Sequence, residues 1–112
     1  MAYLLNARSV VNKLQELRYM LYAVKMYLLF VTETWLNENV PTGCLDPESH
    51  YYVMRCDRKC DRGGGVCAFI HKSLCPVEIH VAVNYKDLEL LCFDLSCSTT
   101  KMRFFLHLSP TK

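Results

Sequence analysis

The sequence predicts a layered α/β or α+β domain, and three observations lead there. Residues 28–36, Leu-Leu-Phe-Val-Thr-Glu-Thr-Trp-Leu, begin as an unbroken apolar run that stops at one carboxylate, Glu33. Ahead of it, leucines at 14, 17 and 21 recur at helical spacing, and behind it four strand-length apolar segments are separated by turn residues. A β-α-β opening followed by a meander of strands implies sheets layered with helix.

In chain order, Tyr3-Leu4-Leu5 is the first strand, ending at Asn6. Ser9 is a good N-cap, and Leu14, Leu17, Leu21 and Val24 form the apolar stripe of an amphipathic helix whose other face carries Lys13, Glu16 and Arg18. The run at 28–32 lacks alternation, which reads as a strand buried on both faces, parallel to its neighbour and covered by helices. The crossover should be right-handed. Asn6 and Glu33 then fall at the carboxyl ends of neighbouring parallel strands, where open α/β sheets hold their ligands.

Beyond Trp35, Pro41, Gly43 and Pro47 punctuate a loop spanning Asn37 to Ser49. His50 to Arg55 reads as a strand, and Cys56 to Arg62 as a charged turn of mixed sign. Gly63-Gly64-Gly65 lacks the Lys-Ser/Thr of a P-loop and is no GxGxxG, so a backbone bend or close strand approach is expected rather than a phosphate cradle. Val66 to His71, Val77 to Val83, Leu88 to Leu95 and Met102 to Leu108 complete the strands, with His80 on the exposed side of its alternation.

Composition narrows the function classes. With 112 residues, 52% of them hydrophobic, the chain can build one core, and a net charge of +2 does not by itself point to a polyanion partner. The longest apolar stretch, Tyr19 to Val31, is interrupted by Lys25 and is shorter than the roughly 20 residues a bilayer requires, so no membrane span is expected. Met1-Ala2-Tyr3-Leu4-Leu5 has neither the basic head nor the cleavage site of a signal peptide, so the chain is expected to be cytoplasmic or nuclear and not secreted.

The seven cysteines are expected to be reduced thiols. Cys56, Cys60, Cys67, His71 and Cys75 invite a zinc reading. However, Cys67 and His71 on one strand would lie about 13 Å apart at roughly 3.3 Å per residue. Zinc ligands sit about 2.0–2.3 Å from one ion.

Four segments in register carry a resemblance. Asn6-Ala7-Arg8-Ser9, the helix with Asn12-Lys13-Leu14, Thr32-Glu33-Thr34-Trp35-Leu36, and Cys56-Asp57-Arg58 with Arg62-Gly63-Gly64-Gly65-Val66 resemble the amino-terminal half of the endonuclease/exonuclease/phosphatase superfamily. Within it, the likeness is to the apurinic-type endonuclease domain of non-long-terminal-repeat (LINE-like) retrotransposons, part of a reverse-transcriptase polyprotein. The resemblance implies a single truncated domain over residues 1–112, an incomplete four-layer α/β sandwich. It implies DNA as partner and Mg²⁺ as cofactor. Glu33 matches the family's metal-binding glutamate and Asn6 the asparagine that orients the phosphate, both in catalytic roles. Arg8 and Asn37 are the candidate nucleic-acid contacts. A hard ion that takes few carboxylates suits one glutamate at a strand end.

The family's later segments, an Asp-Asn pair and a terminal Asp-His pair that complete the metal site and orient water, have no counterpart here. His107-Leu108-Ser109-Pro110 stands where the family has Tyr-Arg-Pro-Pro. The expectation is therefore a fragment of a Mg²⁺-dependent DNA endonuclease that is inactive alone. The alternatives are a non-catalytic interaction fragment, self-associating through an uncovered sheet face of Leu90, Phe93, Phe104 and Leu106 type, and a phosphoesterase for small substrates.

Overall fold

In the computed structural model, residues 2–58, 63–74, 77–85, 88–97 and 100–108 are described; the side chains of 77–85, 88, 89, 97, 107 and 108 are not. The strands are β1 (Ala2–Asn6), β2 (Leu28–Thr32), β3 (Tyr51–Cys56), β4 (Val66–His71), β5 (Val77–Tyr85), β6 (Leu88–Cys97) and β7 (Thr100–Leu108). The first sheet has the order β1-β2-β4-β3 and the second the order β5-β6-β7.

β1 and β2 pair in parallel with Asn6 opposite Thr32, as the β-α-β reading requires. The other edge of β2 differs from expectation: β4 runs antiparallel to it, with Thr32 opposite Val66. The apolar run is still explained, because both faces of β2 are covered. Leu29 and Val31 pack under the helical segment, while Leu28 and Phe30 face the second sheet. The second cover is therefore a sheet and not a helix, and an unbroken run cannot tell the two apart.

Between Val10 and Ala23 the connection from β1 to β2 is helical but of three pitches: a 3-10 turn at Val10–Lys13, α1 at Leu14–Arg18 and a π turn at Tyr19–Ala23. Leu17 and Leu21 are buried and Leu14 packs against the same core, whereas Val24 is exposed because the wide last turn rotates it off the apolar stripe. Ser9 stands at the N-cap but makes no side-chain cap bond, since its φ of 82° is not that of a capping residue. The Asn37–Ser49 loop contains one short helical turn, α2 (Thr42–Leu45), which seats Leu45 in the core.

Two cores result. One lies between the helical segment and the first sheet, and the other between the two sheets, where Met54, Val66, Ala68 and Ile70 meet Leu91, Phe93, Leu95 and Leu106. Phe93 stacks on Phe104 at 5.2 Å between centroids and 13° between planes, with Phe30 tilted against both. Phe93, Phe104 and Leu106 therefore do not form an uncovered face. They face the first sheet, and the alternation of β7 turns Phe105 outward instead, 65% exposed, opposite Cys92 of β6. On that outer face Arg103 closes on the buried Asp94 through two bonds, at 2.8 and 3.2 Å.

The described layers are one helical and two of sheet. Among the described residues no helix is long and apolar enough to cross a membrane. Cys44, Cys67 and Cys92 are free thiols, and burial pushes the Cys67 thiol up, away from thiolate chemistry. Among the described residues no group of three or more His, Cys, Asp or Glu could hold a metal. Cys60, Cys75 and Arg62, with the side chains of His80 and His107, lie outside the described residues.

Candidate active site

The carboxyl ends of β1 and β2 stay paired past the strands themselves. The N–H of Ala7 donates to the Thr32 carbonyl at 2.9 Å, that of Ser9 to Glu33 at 2.9 Å and that of Val10 to Thr34 at 3.0 Å. From the other side the lead-in to β4 closes on the same segment: Thr34 N–H donates to Gly65 O at 3.3 Å and Trp35 N–H to Gly64 O at 2.8 Å. Glu33 is thus clasped between two backbone segments and held at a fixed point above the sheet.

That clasp requires unusual backbone. Arg8 (φ 50°), Ser9 (φ 82°), Glu33 (φ 55°) and Trp35 (φ 55°) are all left-handed without being glycine. Such positions cost roughly 1–2 kcal/mol each and persist only where surrounding structure imposes them, which is common at functional sites. The glycines serve close approach. A Cβ at Gly65 would come within 2.4 Å of Thr34 Oγ1, and one at Gly64 within 2.3 Å of the Arg58 guanidinium. The run is therefore a strand-contact device, as its sequence suggested.

The Glu33 carboxylate is half-buried, and its Oε2 accepts from Trp35 Nε1 at 3.1 Å and from Gly64 N–H at 3.2 Å. Among the described residues both bonds fall on one oxygen, which leaves the acceptor sites of Oε1 for a hard cation or a water. Asn6 is exposed at the neighbouring strand end, one register step back from Glu33. The sheet brings these two together as read from sequence, although among the described residues the carboxylate bonds to Trp35 and Gly64 and not to the amide. Arg8 is exposed beyond Asn6. For Mg²⁺, which takes one or two carboxylates and completes its shell with waters and phosphate oxygens, Glu33 suits as an anchor.

Beside this point is a cleft of about 350 Å³ whose lining includes Ser9, Asn12, Trp35, Asn37, Arg58 and Gly63. It adjoins a second space of about 280 Å³ between Asn37, Glu38, Asp57 and Arg58. Asn37 therefore reaches a cleft wall, while its Oδ1 accepts from Asn39 N–H at 2.8 Å and so is turned into its own loop. Arg55, not singled out from sequence, fixes that loop: it donates to Val40 O at 2.7 Å and Asn37 O at 3.1 Å while pairing with Asp57 at 2.7 Å. Trp35 was also missed, and its place two residues after the carboxylate was the available signal.

No known family matches the sequence, and no characterised protein matches it. Solved structures do. The chain aligns with D. rerio TDP2 complexed with single-strand DNA product at TM-score 0.68 and 16% identity, over 99% of this chain and 46% of that one. The likeness is one of fold. This is the endonuclease/exonuclease/phosphatase fold. Truncated Caenorhabditis elegans TDP2 aligns at TM-score 0.62 and 14% identity, over 93% of this chain and 43% of that one. The 3′ phosphatase NExo from Neisseria, bound to product DNA hairpin, aligns at 0.60 and 10%, over 91% and 39%. The chain thus spans less than half the length of each of these structures.

Proposed function

We propose that this chain is the amino-terminal half of a Mg²⁺-dependent DNA endonuclease domain of the LINE-like retrotransposon type, carrying the metal anchor but not the full acid–base machinery. The observation that carries this reading is the clasped Glu33 at the strand end beside Asn6. Neighbours of the same fold that carry DNA products support nucleic acid as partner, and their greater length supports a domain that needs a second half. When bound, Mg²⁺ would polarise a phosphodiester and stabilise charge on the leaving oxygen. This chain's own contribution is to hold one Glu33 oxygen through Trp35 and Gly64 while presenting the other, with the Asn6 amide alongside and Arg8 and Asn37 on the rim for phosphates. Positioned acid–base groups contribute about 10²–10⁴-fold each, so a half lacking them should work near background.

Trp35 is the only tryptophan and its indole touches Glu33, so its fluorescence reports on the anchor. Millimolar Mg²⁺ should change that emission in the parent and not in Glu33→Gln, and plasmid DNA should show no Glu33-dependent nicking by the chain alone. An emission change that survives Glu33→Gln would remove Glu33 as the anchor. Clear nicking abolished by Glu33→Ala would instead overturn the inertness of the half-domain.

A second reading, an interaction fragment, is favoured by Phe105, 65% exposed on the outer face of the second sheet. Sedimentation should then show concentration-dependent association between copies that Phe105→Lys reduces; a monomer at all concentrations would dismiss it.

A further inference from the structure

The first sheet carries a second opening at its other end. Six residue steps separate Glu33 from Tyr27 along β2, about 20 Å at roughly 3.3 Å per residue, so the two ends are distinct places. Around Tyr27 lies a cleft of about 530 Å³, within the roughly 300–1,000 Å³ usual for small-molecule sites. Its floor is Leu21, its walls are the rings of Tyr22, Tyr27, His50 and His71, and Lys25 stands on its rim.

The walls are set before any ligand arrives. Tyr22 stands edge-on to His50 (5.5 Å, 80°) and Tyr27 edge-on to His71 (5.7 Å, 82°), with the two imidazoles 6.4 Å apart. The Tyr22 hydroxyl donates to Asp46 and accepts at 3.1 Å from the N–H of Glu48, which also lines the cleft, so its position is fixed. Ser73 meets His71 Nδ1 through its N–H at 3.1 Å and its hydroxyl at 2.8 Å, which holds that ring in place. Glu48 lies 3.7 Å from His50 Nε2. Backbone strain also gathers here: besides the four residues at the Glu33 end, the non-glycine residues with positive φ among the described residues are Lys25 (60°) and Ser49 (59°), the first on the cleft rim and the second beside His50.

Rings held this way offer faces and edges to a flat heteroaromatic group, and Lys25, which makes no ion pair among the described residues, offers a charge to an anion attached to it. We propose that this cleft binds a nucleotide unit, a planar base stacked among the four rings with its phosphate at Lys25, supplied either as a free mononucleotide or as an unpaired residue of a single strand. The site stands apart from the Glu33 end and does not depend on the endonuclease reading.

The test is a titration of the 112-residue chain, followed by the ring signals of its histidines, with dAMP, with the tetranucleotide d(A)4 and with inorganic phosphate. The expected result is saturable movement of His50 and His71 with dAMP and none with phosphate alone. Tyr27→Ala should weaken the binding about tenfold, and so should Lys25→Asn for its phosphate part. Both residues are exposed, so folding is spared. Tighter binding of d(A)4 than dAMP would identify a single strand as the source, and equal binding a free nucleotide. Failure of both nucleotide probes to move these signals, an equal response to phosphate alone, or parent-like binding by Tyr27→Ala would overturn the proposal.

Discussion

Gly65→Ala tests whether the Glu33 clasp depends on close backbone approach. The new Cβ would sit 2.4 Å from Thr34 Oγ1, on a side chain that is fully buried, at a φ of 91°. Left-handed strain contributes roughly 1–2 kcal/mol and overpacking about 1–3 kcal/mol, offset by the roughly 0.4–1 kcal/mol gained from a stiffer unfolded chain. The net destabilisation is about 2–4 kcal/mol, which at a urea m-value of about 2 kcal/mol/M moves the unfolding midpoint down by about 1–2 M. Thr34→Ala removes the clashing oxygen and, by losing the weak 3.4 Å bond from Leu36 N–H, costs about 1 kcal/mol by itself. The double variant should then be less destabilised than the sum of the singles by about 1–2 kcal/mol. Gly65→Ala with the parent's midpoint, or strict additivity in the cycle, would refute the steric account.

Other outcomes follow from the two cores. Burial, with the nearby Asp46 charge, pushes Tyr51 up from 10.0 to about 12, and burial with the Asp46 hydrogen bond does the same for Tyr22. Both phenols hold their protons more tightly folded than unfolded, so their contribution is complete below pH 10 and is lost as pH rises towards about 12. Urea midpoints should fall over that window, and Tyr51→Phe should flatten the fall. At neutral pH the same variant loses the hydroxyl that bonds the Leu21 and Met26 carbonyls, both at 2.6 Å, and should be about 1–3 kcal/mol less stable. Phe93→Ala, which empties the ring stack between the sheets, should cost about 3–5 kcal/mol, read as a drop in thermal midpoint of more than about 10 °C.

Strand positions were legible because burial imposes its own pattern: Val66 to His71 and Leu28 to Thr32 have the bounds read from sequence. The partners of β2 were not. An apolar run records that something covers each face, not whether the cover is helix or sheet, and the antiparallel insertion of β4 beside it has no local signature. Placing Asn6 beside Glu33 followed from a β-α-β count alone. The bonds that fix Glu33 come from Trp35 and from Gly64, 31 residues away, and a contact at that separation is set by sheet order. Arg55 was hidden for the same reason: its partners Asn37, Val40 and Thr42 meet it only when the loop folds back.

The sheet order β1-β2-β4-β3 makes the Glu33 end a late assembly. The hairpins β3-β4, β5-β6 and β6-β7 close over short separations, whereas β4 meets β2 only across the long excursion that sets Val66 opposite Thr32, an entropic cost met only when the central ladder zips. Until that happens Gly64 has no carboxylate to meet, so a partly folded chain would lack the Glu33 clasp altogether. Pulse-labelled exchange at the Gly64 amide, protected last, would mark that moment.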